Sequence, residues 1–159
     1  MKELFTEYAG LIVFLHVLGA IVWVGGMIAI RVAVHPTMQS IEDGKIKLGK
    51  TLMIMGKLFN LVLPFILILL LTAIVMLVGI GFKGTELAPI TYIKEGIWIV
   101  MTLNFAYMYI SRAKAQKFFD AGNPTEARAK VSKIPNLLLP INIFLGLVAV
   151  YLGVMLRGF

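Results

Sequence analysis

The stretch YAGLIVFLHVLGAIVWVGGMIAIRVAVH, residues 8–35, decides the fold. It exceeds the roughly 20 apolar residues that cross a hydrocarbon core of about 30 Å, so it predicts a transmembrane helix. His16 lies inside this run, Arg31 near its end and His35 at its last position. At about 100° per residue, His16 and Trp23 fall on one stripe, and Arg31 lies roughly 60° from it. We therefore expect this helix to supply the ligand side of a site within the membrane.

The composition extends this prediction to the whole chain. Hydrophobic residues make up 60% of the 159 residues and charged residues only 14%, which is typical of a membrane protein. Four segments are long enough to span a bilayer: residues 8–34, 52–80, 91–110 and 136–156. Backbone polar groups in a bilayer need internal partners, so we predict a single all-α domain over residues 1–159, an integral membrane four-helix bundle. The absence of cysteine excludes disulfides, thiolate metal sites and iron–sulfur clusters.

The basic residues predict the orientation of the bundle. Five lie in or beside the first loop and six in the third, whereas lysine and glutamate balance in the second loop. The positive-inside rule then puts loops one and three in the cytoplasm and both termini on the outer side. We expect a multi-pass protein of the cell inner membrane whose basic loops contact membrane lipids, with no nucleic-acid partner. The basic residues are Arg31, Lys45, Lys47, Lys50 and Lys57, then Arg112, Lys114, Lys117, Arg128, Lys130 and Lys133.

Both histidines of the chain belong to the first helix. Nineteen residues separate them, about 28 Å along a helix, so they cannot ligate one metal or one haem together. Depth thus separates an outer set around His16 from an inner set around Arg31 and His35. His16 has three open interpretations: a haem or metal ligand, a hydrogen-bonded structural histidine, or a proton carrier. The residues expected at its depth are Thr72, Met76, Trp98, Met101, Tyr151 and Met155.

The inner set has structural and functional interpretations as well. Arg31 suits either a snorkelling interfacial cation or a partner for a porphyrin propionate. Pro36 biases His35 away from helical geometry, which predicts that the first helix ends there. His35 and Met38 offer an imidazole and a thioether, a soft copper site, although a helix-ending His–Pro pair is the commoner arrangement.

Polar and small residues predict how the helices pack. We expect Asn104 and Tyr107 to hydrogen-bond a neighbouring helix rather than a substrate. A stripe of small residues in the fourth span suits close helix packing. Small residues of this kind and the scarcity of ligands are compatible with a homodimer. The stripe consists of Asn142, Gly146, Ala149 and Gly153.

The string HVLGAIVWVGG, residues 16–26, resembles the opening helix of two membrane-protein families. One is the CopD-type copper-resistance proteins, and the other is the HemJ-type protoporphyrinogen oxidases. In the HemJ type a similar helix continues through an arginine to a second histidine, and Arg31 and His35 hold comparable places here. The likeness extends weakly to Lys94, to the tyrosine-rich end of the third span and to the Ile134-Pro135 pair.

The resemblance implies a four-helix membrane protein that binds b-type haem through His16. HemJ-like activity would oxidise protoporphyrinogen and pass electrons to another carrier, with porphyrin or quinone as the implied partner. The chain has Met108 where such proteins tend to have histidine, and Lys133-Ile134 where they tend to have an acid, which favours haem binding over the named reaction. The predicted cofactor-binding residues are His16, Trp23, Arg31, Met76 and Met101, and the predicted metal ligands are His16, His35 and Met38.

Two alternatives of other classes stay open at this point. The first is copper transport or delivery through His16, His35 and Met38. The second is a non-catalytic assembly subunit whose glycine stripes dock a partner protein. Enzymatic activity as an oxidoreductase is therefore one interpretation among three.

Overall fold

A computed structural model describes residues 2–156, and over that range the chain is all-α, with four long helical segments and no strand. Three of them, Lys2–Gln39, Gly44–Ile80 and Pro124–Met155, are long and apolar enough to cross a membrane, which is the character of a membrane protein. Met1 and residues 157–159, the extreme ends of the predicted 1–159 domain, lie outside the described residues. The segments are α1, Lys2–Gln39; α2, Gly44–Ile80; α3, Ala88–Asp120; and α4, Pro124–Met155, with a 3-10 turn at Phe82–Gly84.

Successive segments pack side by side in opposite directions. In each case a residue near the start of one segment lies against a residue near the end of the next. The loop between α1 and α2 and the loop between α3 and α4 therefore lie at the same end, which brings the two basic loops together. The contacting pairs are Phe5 with Gly79, Gly49 with Phe119, and Lys94 with Gly153.

The first helix runs past Pro36, so the prediction that it ends at His35 was wrong. His35 has helical dihedral angles, φ −60° and ψ −48°. A proline in a helix lacks the N–H donor and crowds the carbonyl four residues earlier, and a widened turn relieves both effects. A π turn precedes Pro36, and the helix therefore continues for one more turn. The π turns are Ile21–Gly25 and Ile30–Val34 in α1 and Ile134–Leu138 in α4.

The cap of Asp43 fixes the start of α2. Its carboxylate accepts hydrogen bonds from the backbone N–H groups of Lys45, at 2.8 Å, and Ile46, at 2.9 Å. The bonds from Ile46 and Lys45 stabilise the charged carboxylate and lower the pKa of Asp43 below its ordinary value. This cap fixes the first turn of α2, which includes Lys47.

Aromatic rings form the centre of the core. Phe105 of α3 meets Trp23 of α1 edge-on, with 6.0 Å between ring centroids. It also meets Phe59 of α2 at 5.2 Å, again in an edge-to-face arrangement. Such contacts contribute about 0.5–1.5 kcal/mol each beyond the area that they bury. The core thus places the middle of α3 at the same level as the middles of α1 and α2.

A pair of asparagines joins α3 to α4. The Asn104 amide donates to the Asn142 side-chain oxygen and to the Leu138 carbonyl, each at 2.8 Å. The Asn142 amide in turn donates to the Met101 carbonyl at 3.1 Å. The prediction that Asn104 bonds a neighbouring helix is therefore confirmed. Tyr107 is exposed instead, because it lies on the outward face of α3.

Large apolar side chains cover the outside of the helices. Val32 of α1 is 70% exposed, Leu103 of α3 is 66% exposed and Phe144 of α4 is 67% exposed. Exposed apolar surface of this extent is unfavourable in water and is the surface that a lipid environment accepts. The polar contacts, in contrast, lie between helices, where they fix the packing of the bundle.

Candidate functional site

His16 is held by a threonine of the second helix. Its Nδ1 lies 2.9 Å from the Thr72 hydroxyl oxygen. That hydroxyl lies 2.6 Å from the carbonyl of Ile68, to which it donates its proton. The hydroxyl oxygen therefore accepts a hydrogen bond from Nδ1–H of the histidine. In the neutral ring, the lone pair then lies on Nε2, and nothing within residues 2–156 hydrogen-bonds that atom.

Two further side chains belong to the outer level around His16. Met76 follows Thr72 by four residues on α2, so it shares the same face and is half-buried. Lys94 of α3 lies within electrostatic range of the His16 ring. Sequence reasoning assigned Lys94 to the charge balance of the second loop and missed this proximity. The predicted third span, residues 91–110, already contains Lys94, but no pattern in the sequence indicates how α3 is rotated about its axis, so this proximity to His16 had no signal in the sequence.

The other predicted cofactor residues do not join His16. Trp23 is 2% exposed and Met101 is 3% exposed, and both are packed in the core. Trp23 lies about 10 Å along α1 from His16, and Arg31 lies about 22 Å away. The indole N–H of Trp23 is buried with no hydrogen-bond partner among the described residues. The structure thus divides the predicted set between an outer level, a core and an inner end.

The donor chemistry at His16 fits an axial haem ligand, whereas the interface between α1 and α2 offers no flat space beside it. A Cβ added at Gly19 would lie 2.8 Å from the Leu69 side chain, because leucine already fills that gap. Two helical turns further along the same face, a Cβ added at Gly26 would lie 2.8 Å from the Leu58 side chain. Open space adjoins α1 on its outward face, in a groove of about 430 Å³. This groove is lined by Ala9, Gly10, Val13, Phe14 and Val17.

At the inner end, His35 lies between an arginine and a glutamine of its own helix. Arg31 Nη1 is 3.3 Å from His35 Nδ1, and a guanidinium can only donate. Nδ1 is therefore the acceptor, and the proton of the neutral ring lies on Nε2. The Gln39 amide nitrogen lies 3.4 Å from Nε2. Two donors cannot pair, so with this tautomer the amide is turned over and its oxygen accepts from Nε2–H.

His35 and Met38 both line a cavity of about 310 Å³ between α1, α2 and α4, at the end of the bundle that carries the two basic loops; it is called here the inner cavity. Its walls are mostly apolar, and Lys47 and Arg128 are the charged residues that line it. No aspartate or glutamate of the described chain lines it. Sequence reasoning placed His35 and Met38 together but did not connect them to these two cations. The lining residues are Ile30, Val34, His35, Met38, Gln39, Lys47, Leu48, Thr51, Ile54, Met55, Phe59, Arg128, Val131, Ser132, Ile134, Pro135 and Leu139.

Comparison with known proteins adds no family to this description, since no family model, no curated protein and no solved structure matches the chain.

Proposed function

We propose that the chain is a four-helix protein of the cell inner membrane that binds b-type haem through His16. The observation that supports this proposal is the hydrogen-bond relay from His16 to Thr72 and on to Ile68. It orients the ring and leaves the Nε2 lone pair free, which is the arrangement that metal-ligating histidines use. Burying an imidazole in a bilayer costs free energy, and ionisable residues buried in membranes usually bind a ligand or an ion.

We infer that α3 crosses the membrane with the other three segments and that both termini lie on the outer side. Two observations support the crossing: Phe105 of α3 contacts Trp23 and Phe59 in mid-bundle, and Leu103 presents an apolar face outward. The shared end of the two basic loops supports the orientation, since positive charge is retained in the cytoplasm.

In this proposal Thr72 and Lys94 have different roles in binding the cofactor. Thr72 fixes the tautomer and the rotation of the ring, and the Lys94 ammonium complements the charge of an anionic group nearby. Because His16 does not line the groove on the outward face of α1, a macrocycle bound at Nε2 would have to displace the Leu69 side chain that fills the space between α1 and α2. Haem, when bound, supplies one-electron redox chemistry, with porphyrin or quinone as the partner that the resemblance implies.

The test is an optical spectrum of the purified chain after haem-supplemented expression. We expect a Soret band that shifts on dithionite reduction and is lost in His16→Ala. The control is His35→Ala, which removes the other imidazole and should leave the band in place. A colourless parent protein, or a band that depends on His35 and not on His16, would refute the proposal.

Copper handling is a second candidate because His35 and Met38 line the same cavity. Imidazole and thioether together suit copper(I). Three cations, Arg31, Lys47 and Arg128, lie at or beside this pair, and their charge opposes metal binding. Metal analysis of the same preparation separates the candidates: stoichiometric copper that Met38→Leu abolishes supports copper handling. Colourless, metal-free protein that co-purifies with another membrane protein supports an assembly subunit instead.

A further inference from the structure

We propose that the inner cavity binds a single-chain anionic amphiphile, an apolar tail that ends in a carboxylate or phosphate group. The cavity is about 310 Å³, at the small end of the roughly 300–1,000 Å³ range of small-molecule sites. That volume suits one chain better than a two-chain phospholipid. The proposal does not depend on haem binding, because His16 and the inner cavity lie at different levels of α1.

The deep part of the cavity is built for an apolar tail. Met55 and Phe59 of α2 and Leu139 of α4 line it and are buried. Ile30 and Val34 of α1 complete the wall, one helical turn apart. An apolar cavity gains free energy from an apolar occupant, since water inside it would lack hydrogen-bond partners.

The mouth of the cavity is built for an anion. The Lys47 ammonium donates to the Gln39 carbonyl at 3.2 Å, and the Arg128 guanidinium reaches the Gly44 carbonyl at 3.5 Å. Both partners are neutral, and neither cation forms a salt bridge within the described residues. Within residues 2–156 the one ion pair joins Lys83 to Glu95, on the opposite end of the bundle.

The two parts lie in the order that an amphiphile at a membrane surface requires. Lys47 lies in the first turn of α2 and Arg128 in the short helix before the π turn of α4, both on the loop side of the cavity. Phe59 and Leu139 lie deeper along the same two segments. A tail would therefore point into the bundle while its head stays at the basic surface, as lipid headgroups do.

The experiment measures binding of cis-parinaric acid, a naturally fluorescent fatty acid, to the full chain in maltoside micelles, against protein-free micelles. Thr51 lines the cavity, so Thr51→Phe should fill it and weaken binding about tenfold or more, whereas Thr51→Val removes only the hydroxyl and should bind as the parent does. Equal binding by the two variants overturns the proposal.

The role of the charged mouth is tested with glutamine variants, which remove the positive charge and retain a hydrogen-bond donor. The double variant Lys47→Gln, Arg128→Gln should weaken binding about tenfold and remove its salt dependence, whereas Lys45→Gln with Lys130→Gln, off the cavity, should change neither.

Oleate should displace the probe and oleyl alcohol should not. Stronger displacement by oleate than by lysophosphatidylglycerol indicates a free carboxylate, and the reverse order indicates a lipid phosphate. Equal displacement by oleate and oleyl alcohol overturns the anionic head.

Discussion

At the scale of single residues, the partner of His16 decides what the histidine can do. An imidazole N–H without a partner costs several kcal/mol in hydrocarbon, roughly 2–7 depending on the reference state. Thr72 removes that cost, and its own proton is held by the Ile68 carbonyl. The order of these bonds, rather than burial alone, leaves Nε2 as the nitrogen with a free lone pair.

Thr72→Val keeps the shape of the side chain and removes the hydroxyl. The His16 ring then loses the group that fixes its tautomer, so we expect haem affinity to fall about 10–100-fold, as is usual when the partner of a metal-ligating histidine is removed. A haem titration of the purified apoprotein, followed at the Soret band, measures this change. Thr72→Ser retains the hydroxyl and should stay near the parent. Equal affinity in the Val and Ser variants would argue against any orienting role for Thr72.

The sequence could predict part of this site from depth alone. It places His16 in the first span and Thr72 at the same level of the second, and the structure confirms that the two meet. It could not predict that Lys94 lies near them, because that depends on the rotation of α3 about its axis. Trp23 shares a helical stripe with His16, yet its ring is buried in the core, where it packs edge-on against Phe105.

At the scale of helices, α4 approaches the bundle through a glycine. A Cβ added at Gly146 would lie 2.6 Å from Cγ2 of Val24 in α1 and 3.2 Å from the Met101 methyl in α3. Valine is stiff about χ1, so it cannot swing away as a longer side chain would. The close packing that the small-residue stripe predicts is therefore confirmed at this crossing of three helices.

Gly146→Ala should destabilise the fold by about 1–3 kcal/mol, because one added methyl forces the helices apart. The matched control is Gly96→Ala, where nothing lies within 4 Å of the added Cβ. There alanine should raise stability by up to roughly 1 kcal/mol through its better helix propensity. Thermal unfolding of both variants in detergent, followed by circular dichroism, measures the difference. Equal melting temperatures would show that the Val24 and Met101 side chains move aside with no loss of stability.

The ends of the helices were predicted less well than their central parts. Pro36 predicts an end at His35, because local rules forbid proline in a regular α-helix. The π turn over Ile30–Val34 lifts that restriction, and no local pattern signals it in advance. The extra turn carries Met38 to the inner cavity.

At the scale of the whole molecule, the two ends of the bundle differ in charge. The inner end combines two basic loops with a cavity that no acidic residue of the described chain lines. The opposite end has its lysine and glutamate paired, with Lys83 3.1 Å from Glu95. Composition predicted this asymmetry, since it needs only a count of charges per loop. The cavity was not predictable, because it arises from three helices that the sequence cannot place in register.

Single cysteines test the resulting topology, because the natural chain has none and gives no background labelling. Glu42→Cys, Glu86→Cys and Thr125→Cys lie at exposed positions in or beside the three connections between segments. In spheroplasts, a membrane-impermeant maleimide should label Glu86→Cys directly and the other two only after permeabilisation, since the positive-inside rule puts the basic loops in the cytoplasm. If Glu86→Cys and Thr125→Cys were labelled from the same side, α3 would not cross the membrane. If all three were reversed, the bundle would be inverted and the inner cavity would open to the outside.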